Sequence, residues 1–366
     1  MDRKQISRLL SFHTRHKKVV PIGSFIGGFA YDTYTLQRID LWLDNLQMLG
    51  YLLLSASALM VIGMIEQDRL KKEYMVSRKE ILFVILHFCL GGLLSAYTIY
   101  YFKSASISQS YVFVGLMILI WLMNEFKPKQ ISQLKILSLL HFFCSFTFIT
   151  FFLPILTHRM NVWMFLLGGL ISLVCTIGIW YVILRKDLFL FDDQGKEALF
   201  PPFSLFIILL VLYSINWIPP VPLSLIDIGI YRGVQRTDDG QYLVRYKQPG
   251  LIEFGKKDDR VFEYTEGDTV FCYTAIFAPT DMRQKIIHQW EFQNADKQWQ
   301  TTDRIAYPMV GGRDGGWRGY SMKRQLQSGY WRINVITEDN LVLGRIQLTL
   351  VKTEAKPTQF AVEMKS

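Results

Sequence analysis

The residues best suited to ligand chemistry lie in a glycine-rich run near the carboxyl end, Gly311–Tyr320. Guanidinium groups bind carboxylates through paired hydrogen bonds, and aromatic rings stack on flat or cationic groups. The run therefore contains candidate residues for binding a protein partner, a sugar or a carboxylated glycan, namely Arg313, Trp317, Arg318 and Tyr320. The alternative is a β-bulge corner in which Trp317 is buried in the core, and we favour that structural interpretation.

A second polar cluster follows a short apolar stretch near the amino terminus. Its members are Asp32, Thr35, Arg38, Asp40 and Asp44. In the structural interpretation, which we favour, Arg38 pairs with one of the three aspartates in an ordered helical hairpin. In the functional interpretation, the cluster lines a pocket for a lipid head group or a small polar ligand.

Patterns typical of an active site are missing from the sequence. No HExxH pair occurs, and no Gly-Lys-Ser or Gly-Lys-Thr follows the glycine run. His87 and His141 lie among apolar residues and are expected to pack between helices, while His288 and Cys272 are expected to be buried in strands. We therefore predict no catalytic residues, no cofactor and no metal, and we do not expect an enzyme.

The elements that carry these residues fall into two unlike halves. The chain has 366 residues, 51% of them hydrophobic and 19% charged, but the long apolar runs all precede Ile228. A membrane-spanning helix needs about 20 mostly apolar residues. Seven transmembrane helices are predicted, at Val19–Tyr34, Leu46–Ile65, Ile81–Phe102, Tyr111–Met123, Ile136–Leu156, Val162–Leu184 and Pro202–Trp217.

The distribution of basic residues predicts the orientation of these helices. With an inner amino terminus, the inner segments carry 17 Lys and Arg, whereas the outer loops contain only Arg38, Lys103 and Arg159. This asymmetry fits the positive-inside rule. An odd number of spans then places the carboxyl-terminal domain on the outer side of the membrane.

The second half shows the pattern of strands. Apolar residues alternate with polar ones in five short segments, separated by turn signals such as Asp238-Asp239-Gly240. This pattern predicts an all-β sandwich of the immunoglobulin-like kind. The predicted divisions are a basic segment 1–18, a helical domain 19–218, a proline-rich linker 219–228, a β-sandwich 229–352 and a flexible tail 353–366.

Charge argues against a nucleic-acid partner. The formal net charge is +9, but from Gly229 onward there are only 20 Lys and Arg against 17 Asp and Glu. Nucleic-acid-binding domains concentrate basic charge on one surface. We therefore expect membrane lipids, and an envelope protein or glycan, as partners.

Several short motifs resemble those of an uncharacterised bacterial family of multi-pass inner-membrane proteins that carry a carboxyl-terminal domain of unknown function. The motifs are Gly28-Phe29 with Asp32 and Arg38, Gly267–Tyr273, His288-Gln289-Trp290, Gly311–Tyr320, Gly329–Arg332 and Gly344-Arg345-Ile346. The resemblance implies a protein of the bacterial cytoplasmic membrane with a periplasmic β-domain.

Two functional hypotheses follow. The first is a non-enzymatic envelope protein whose periplasmic β-domain binds a protein partner or a glycan. The second is a transporter or lipid-handling protein centred on the polar cluster at the outer ends of the first two helices.

Overall fold

The computed structural model describes residues 30, 33–34, 39–70, 78–104, 111–127, 129, 133–185, 193–248, 257–312, 315–354 and 359–365. Within these residues the chain forms six helices followed by eleven strands. The division into a helical part and a β-rich part is therefore confirmed.

The described helices are α1 (Trp42–Glu66), α2 (Lys79–Ser104), α3 (Tyr111–Phe126), α4 (Leu134–Thr157), α5 (Val162–Leu184) and α6 (Asp193–Ser214). All except α3 are long and apolar enough to cross a membrane, with mean hydropathies between 1.8 and 2.3. The predicted first span, Val19–Tyr34, lies outside the described residues apart from Ala30, Thr33 and Tyr34. The total of seven helices thus stays a prediction, as does the basic segment 1–18.

The predicted start of the last helix is wrong. Helix α6 begins at Asp193 rather than Pro202, and both Pro201 and Pro202 lie inside it. Its first two turns are polar, so hydropathy marks only the apolar remainder. The segment before Phe200, predicted as part of an inner loop, is therefore partly helical.

The strands are β1 (Ser224–Tyr231), β2 (Gly233–Arg236), β3 (Tyr242–Lys247), β4 (Val261–Tyr264), β5 (Val270–Phe277), β6 (Arg283–Gln293), β7 (Trp299–Val310), β8 (Trp317–Lys323), β9 (Gly329–Thr337), β10 (Val342–Lys352) and β11 (Phe360–Lys365). They form a five-stranded sheet in the order β4-β10-β9-β6-β7, a middle sheet β1-β5-β8 and a cover sheet β11-β3-β2. All five strands predicted from alternation are present.

The β-domain has three layers because the middle sheet is buried on both faces. On one face, Ile230, Val270 and Cys272 pack against Trp290 and other residues of the five-stranded sheet. On the other face, Tyr273 and Ala275 pack against apolar residues of the cover sheet. Side chains alternate along a strand, so β5 supplies both cores. The two-sheet sandwich was predicted, and the cover sheet was not.

The predicted limits of the β-domain are too narrow at both ends. Strand β1 begins at Ser224, and the preceding segment from Pro219 to Leu223 is buried rather than an exposed linker. Proline rings are apolar and can pack in a core even though they end a helix. At the carboxyl end, β11 lies within the predicted flexible tail and pairs antiparallel with β3.

The helices and the β-domain share one hydrophobic core. Met282, Ile286 and Leu343 of the β-domain belong to the same buried cluster as Tyr213 and Ile218 at the end of α6. The β-domain therefore rests directly on one end of the helical bundle.

Candidate ligand-binding face

The first part of the glycine-rich run is a tight corner. A Cβ on Gly311 would lie 2.0 Å from the carbonyl oxygen of Pro279, and Gly312 has a φ of +94°. Only glycine fits both positions without displacing backbone. Gly311 and Gly312 therefore form a corner of the kind that the favoured structural interpretation requires. Arg313 lies outside the described residues.

The second part of the run is strand β8, whose alternation separates the predicted ligand residues. Trp317 points into the domain and stacks on Tyr307, with ring centroids 5.0 Å apart. Gly319 makes room for this ring, because a Cβ there would lie 2.3 Å from it. Arg318 and Tyr320 occupy intervening positions of the same strand. The ring of Tyr320 packs edge-on against that of Tyr242 in the cover sheet, with the ring centroids 6.3 Å apart. Trp317 therefore does not converge with Arg318 and Tyr320 on one site.

The polar cluster near the amino terminus is described only in part. Asp32, Thr35 and Arg38 lie outside the described residues, so the predicted pairing of Arg38 is not tested. The Asp40 carboxylate accepts hydrogen bonds from the backbone N–H and the hydroxyl of Thr280, at 3.1 and 3.2 Å. Asp44 lies in the first turn of α1. Asp40 thus joins the helical part to the β-domain.

Replacing Asp40 with alanine is expected to loosen this joint. A typical intramolecular hydrogen bond contributes about 0.5–1.5 kcal/mol, and this one is exposed to water, so amide exchange at Thr280 should accelerate about two- to tenfold. Hydrogen exchange on the full chain measures this rate, with Asp296→Ala in a distant turn as the matched control. Unchanged exchange in Asp40→Ala would show that the carboxylate does not hold the turn.

His288 is the centre of a buried polar network. Its Nε2 lies 3.1 Å from the Thr274 hydroxyl and 2.5 Å from the Tyr307 hydroxyl, and its Nδ1 lies 2.8 Å from the Ser321 hydroxyl. The Ser321 oxygen also accepts a hydrogen bond from Nε1 of Trp290 at 3.0 Å. Burial lowers the pKa of His288 to about 3. The ring is a satisfied core residue, as predicted, and it cannot reach a ligand.

The face of the five-stranded sheet that points away from the core carries ordered rows of polar residues. In one row, Gln347, Arg332, Glu291 and Thr301 are adjacent on β10, β9, β6 and β7. The next row consists of Arg345, Asn334, Gln289 and Arg304. Directly opposed side chains on neighbouring strands are close enough to interact. This surface is called the polar face below.

Glu291 organises the polar face. Its side chain forms an ion pair with Arg332 and accepts hydrogen bonds from Asn334 at 2.9 Å and Gln289 at 2.8 Å. Desolvation opposes ionisation, but the bonds from Arg332, Gln289 and Asn334 outweigh it and hold the pKa of Glu291 below its usual range. The guanidinium of Arg332 also lies 4.4 Å from the ring centre of Trp299. These contacts hold the side chains of the face in place.

A groove crosses one end of the polar face. It has a volume of about 790 Å³, and its lining includes Arg260, Trp299, Tyr330, Arg345, Gln347 and Thr349. Tyr330 is 62% exposed, so its ring is available to a ligand. Ligand sites commonly combine aromatic walls with a few placed polar groups. The groove therefore has the composition of a binding site.

Sequence reasoning identified the strands of this face but not its residues. The alternation marks Trp331, Ile333, Ile346 and Leu348 as inward-facing. The positions that alternate with them hold Tyr330, Arg345, Gln347 and Thr349 of the groove. The available signal was the presence of arginine and tyrosine at those outward positions. Register across strands was needed to show that they meet.

Among the described residues, no three His, Cys, Asp or Glu side chains lie together as metal ligands would. The titratable side chains in the lining of the groove are Arg260, Tyr330 and Arg345, and the paired Arg332 and Glu291 stand on the adjoining row of the polar face. The chemistry offered by the face is therefore hydrogen bonding, ion pairing and stacking.

Part of the β-domain matches a protein family whose role is undetermined. Residues 283–349, which run from β6 into β10, match a family described as "Protein of unknown function (DUF2914)". No curated protein is similar enough to the chain to count as a match. The matched segment contains all eight residues of the two rows of the polar face.

Two solved structures share weak similarity with the chain. One is an immunoglobulin-like protein from Pseudomonas aeruginosa, 10% identical, covering 34% of this chain and 97% of its own, with a TM-score of 0.20. The other is an alkylpurine DNA glycosylase from Pseudomonas fluorescens bound to DNA containing an abasic site analog, 8% identical, covering 82% and 97%, with a TM-score of 0.22. At these TM-scores neither supports an argument about fold or function.

Proposed function

We propose that this chain is a membrane-anchored, non-enzymatic binding protein of the cell envelope. The helical part anchors it in the bacterial cytoplasmic membrane, and the β-domain binds a glycan or a protein partner on the outer, periplasmic side. The observation that carries the proposal is the groove on the polar face. There, exposed Tyr330 and half-buried Arg345 lie beside the hydrogen-bonded side chains of that face.

The fixed arrangement of side chains on the polar face supports binding rather than catalysis. Glu291 is held by Arg332, Asn334 and Gln289, so its carboxylate is already occupied. Pre-formed contacts reduce the entropy lost when a ligand binds. The buried His288, whose pKa is lowered by desolvation, offers no general base to a molecule in the groove.

The helical alternative, transport or lipid handling, has less support. Asp40, one of its two described residues, is engaged with Thr280 of the β-domain. That contact makes it a joint between the two parts. We therefore prefer binding outside the membrane.

The proposal is tested by retention of envelope components on the full chain held in lipid nanodiscs. Protein and polysaccharide fractions of the producing cell are passed over the wild type and over Tyr330→Ala. We expect a component whose retention falls at least tenfold in the variant. Phe360→Ala is the matched control, because Phe360 is also a partly exposed aromatic residue but lies on the cover sheet. Equal retention by the wild type and Tyr330→Ala would count against the groove.

A further inference from the structure

The charges around the groove are mainly positive. Arg260 and Arg345 belong to its lining, and Arg332 and Arg304 stand on the adjoining rows. Glu291 is paired with Arg332, and Arg260 is paired with Asp258 at 3.0 Å. Within the part of the chain that the structure describes, Arg345 and Arg304 form no ion pair. The surface therefore carries more positive than negative charge, although Glu291 also attracts Arg345.

Arg345 is the cation most in need of an anionic partner. It is half buried, and its Nε donates a hydrogen bond to the Asn334 side chain at 2.5 Å. Desolvation and repulsion from Arg332 outweigh the attraction of Glu291 and lower the pKa of Arg345 from the ordinary value. A carboxylate is suited to the planar fork of an arginine, which can donate two parallel hydrogen bonds to it. A bound anion at this position would offset both the desolvation of Arg345 and its repulsion from Arg332.

The other groove residues favour a sugar ring. Tyr330 and Trp299 supply aromatic surfaces, and Gln347 and Thr349 supply amide and hydroxyl groups. Rings carrying many hydroxyl groups need donors and acceptors of this kind beside a flat apolar surface. Neutral polar groups and aromatic rings would be poorly matched to a simple inorganic anion.

The position of Tyr330 argues against an added peptide strand. A peptide that binds by strand addition uses the free backbone groups at a sheet edge. Strand β9, which carries Tyr330, is paired on both sides, by β10 and β6. Recognition at this point of the groove therefore depends on side chains.

We infer that the ligand of the groove is a carboxylated glycan, with a carboxylate held by Arg345 and a sugar ring lying against Tyr330. This inference rests on the proposed binding function and specifies its ligand class. The expected footprint is one to a few sugar units.

The test measures binding of three probes to the full chain in neutral-lipid nanodiscs. The probes are a hexamer of galacturonic acid, a neutral galactose hexamer and a glutamate hexapeptide. We expect the acidic hexamer to bind at least tenfold more tightly than either of the others. Arg345→Gln should weaken that binding at least tenfold, whereas Arg236→Gln, an exposed arginine on β2, should leave it unchanged.

Other outcomes overturn the inference in distinguishable ways. Equal binding of the neutral and acidic hexamers, lost in Tyr330→Ala, would leave the binding function standing and remove the charge preference. Arg345-dependent binding of the glutamate peptide at equal strength would assign an acidic protein segment instead. If none of the three probes binds, the glycan assignment fails, while retention of an envelope component still decides the binding function. Hydrogen exchange of each variant verifies that its β-domain is folded.

Discussion

Replacing Glu291 with alanine is expected to destabilise the β-domain by about 3–5 kcal/mol, because it leaves the Arg332 guanidinium without its counter-charge. The two side chains are only 8% and 19% exposed, so water cannot fully replace the lost carboxylate. Asn334 and Gln289 lose an acceptor as well. Urea unfolding of the full chain in nanodiscs, followed by tryptophan fluorescence, measures the change.

A double variant separates the lost ion pair from general disruption. Glu291→Leu combined with Arg332→Leu removes both charges, and we expect it to recover most of the stability lost by the single change. Glu338→Ala is the control, because the Glu338–Lys285 pair is 63% and 52% exposed and should contribute nothing measurable. A double variant as unstable as Glu291→Ala would refute the assignment to charge burial.

Acidification is expected to begin destabilising the β-domain at about pH 6.5, before the carboxylates titrate. His288 has a folded pKa of about 3, below its usual value, so the unfolded chain binds an additional proton between these values. The stabilisation is therefore present above about pH 6.5 and is lost as the pH falls towards the folded pKa. Between pH 6 and pH 4 the expected loss is about 2–3 kcal/mol from this one residue.

The slope of stability against pH identifies the residue responsible. Glu291 and Asp303 have lowered pKa values. Their contribution to stability is therefore lost only as the pH falls below the ordinary carboxyl pKa of about 4. His288→Gln should therefore flatten the slope between pH 6 and pH 4, even if the variant is less stable overall. An unaltered slope in His288→Gln would assign the acid sensitivity to other groups.

The apolar pattern predicted the broad architecture because buried residues recur along the sequence with the period of a helix or a strand. Long apolar runs marked the helices, and period-two alternation marked β5, β6 and β10. The cover sheet escaped prediction because β2 and β11 are short, and β11 alternates apolar residues with Glu363 and Lys365. The proline segment was assigned to a linker because composition does not show what it packs against.

The polar face was missed for a different reason. Glu291, Arg332 and Arg345 are adjacent in space but lie on three separate strands, so only the register brings them together. The glycine-rich run attracted the prediction because its residues are adjacent in sequence. In strand β8, however, neighbours point to opposite faces, which separates Trp317 from Arg318.

The shared core gives the molecule a mechanical property. Pro219 to Leu223 are buried, and Met282 and Leu343 pack in one cluster with the end of α6. A domain tethered by a free linker would swing and absorb a pull on its ligand within that linker. Here a load applied to the β-domain passes through close-packed side chains to the ends of the helices, without a flexible linker to absorb it.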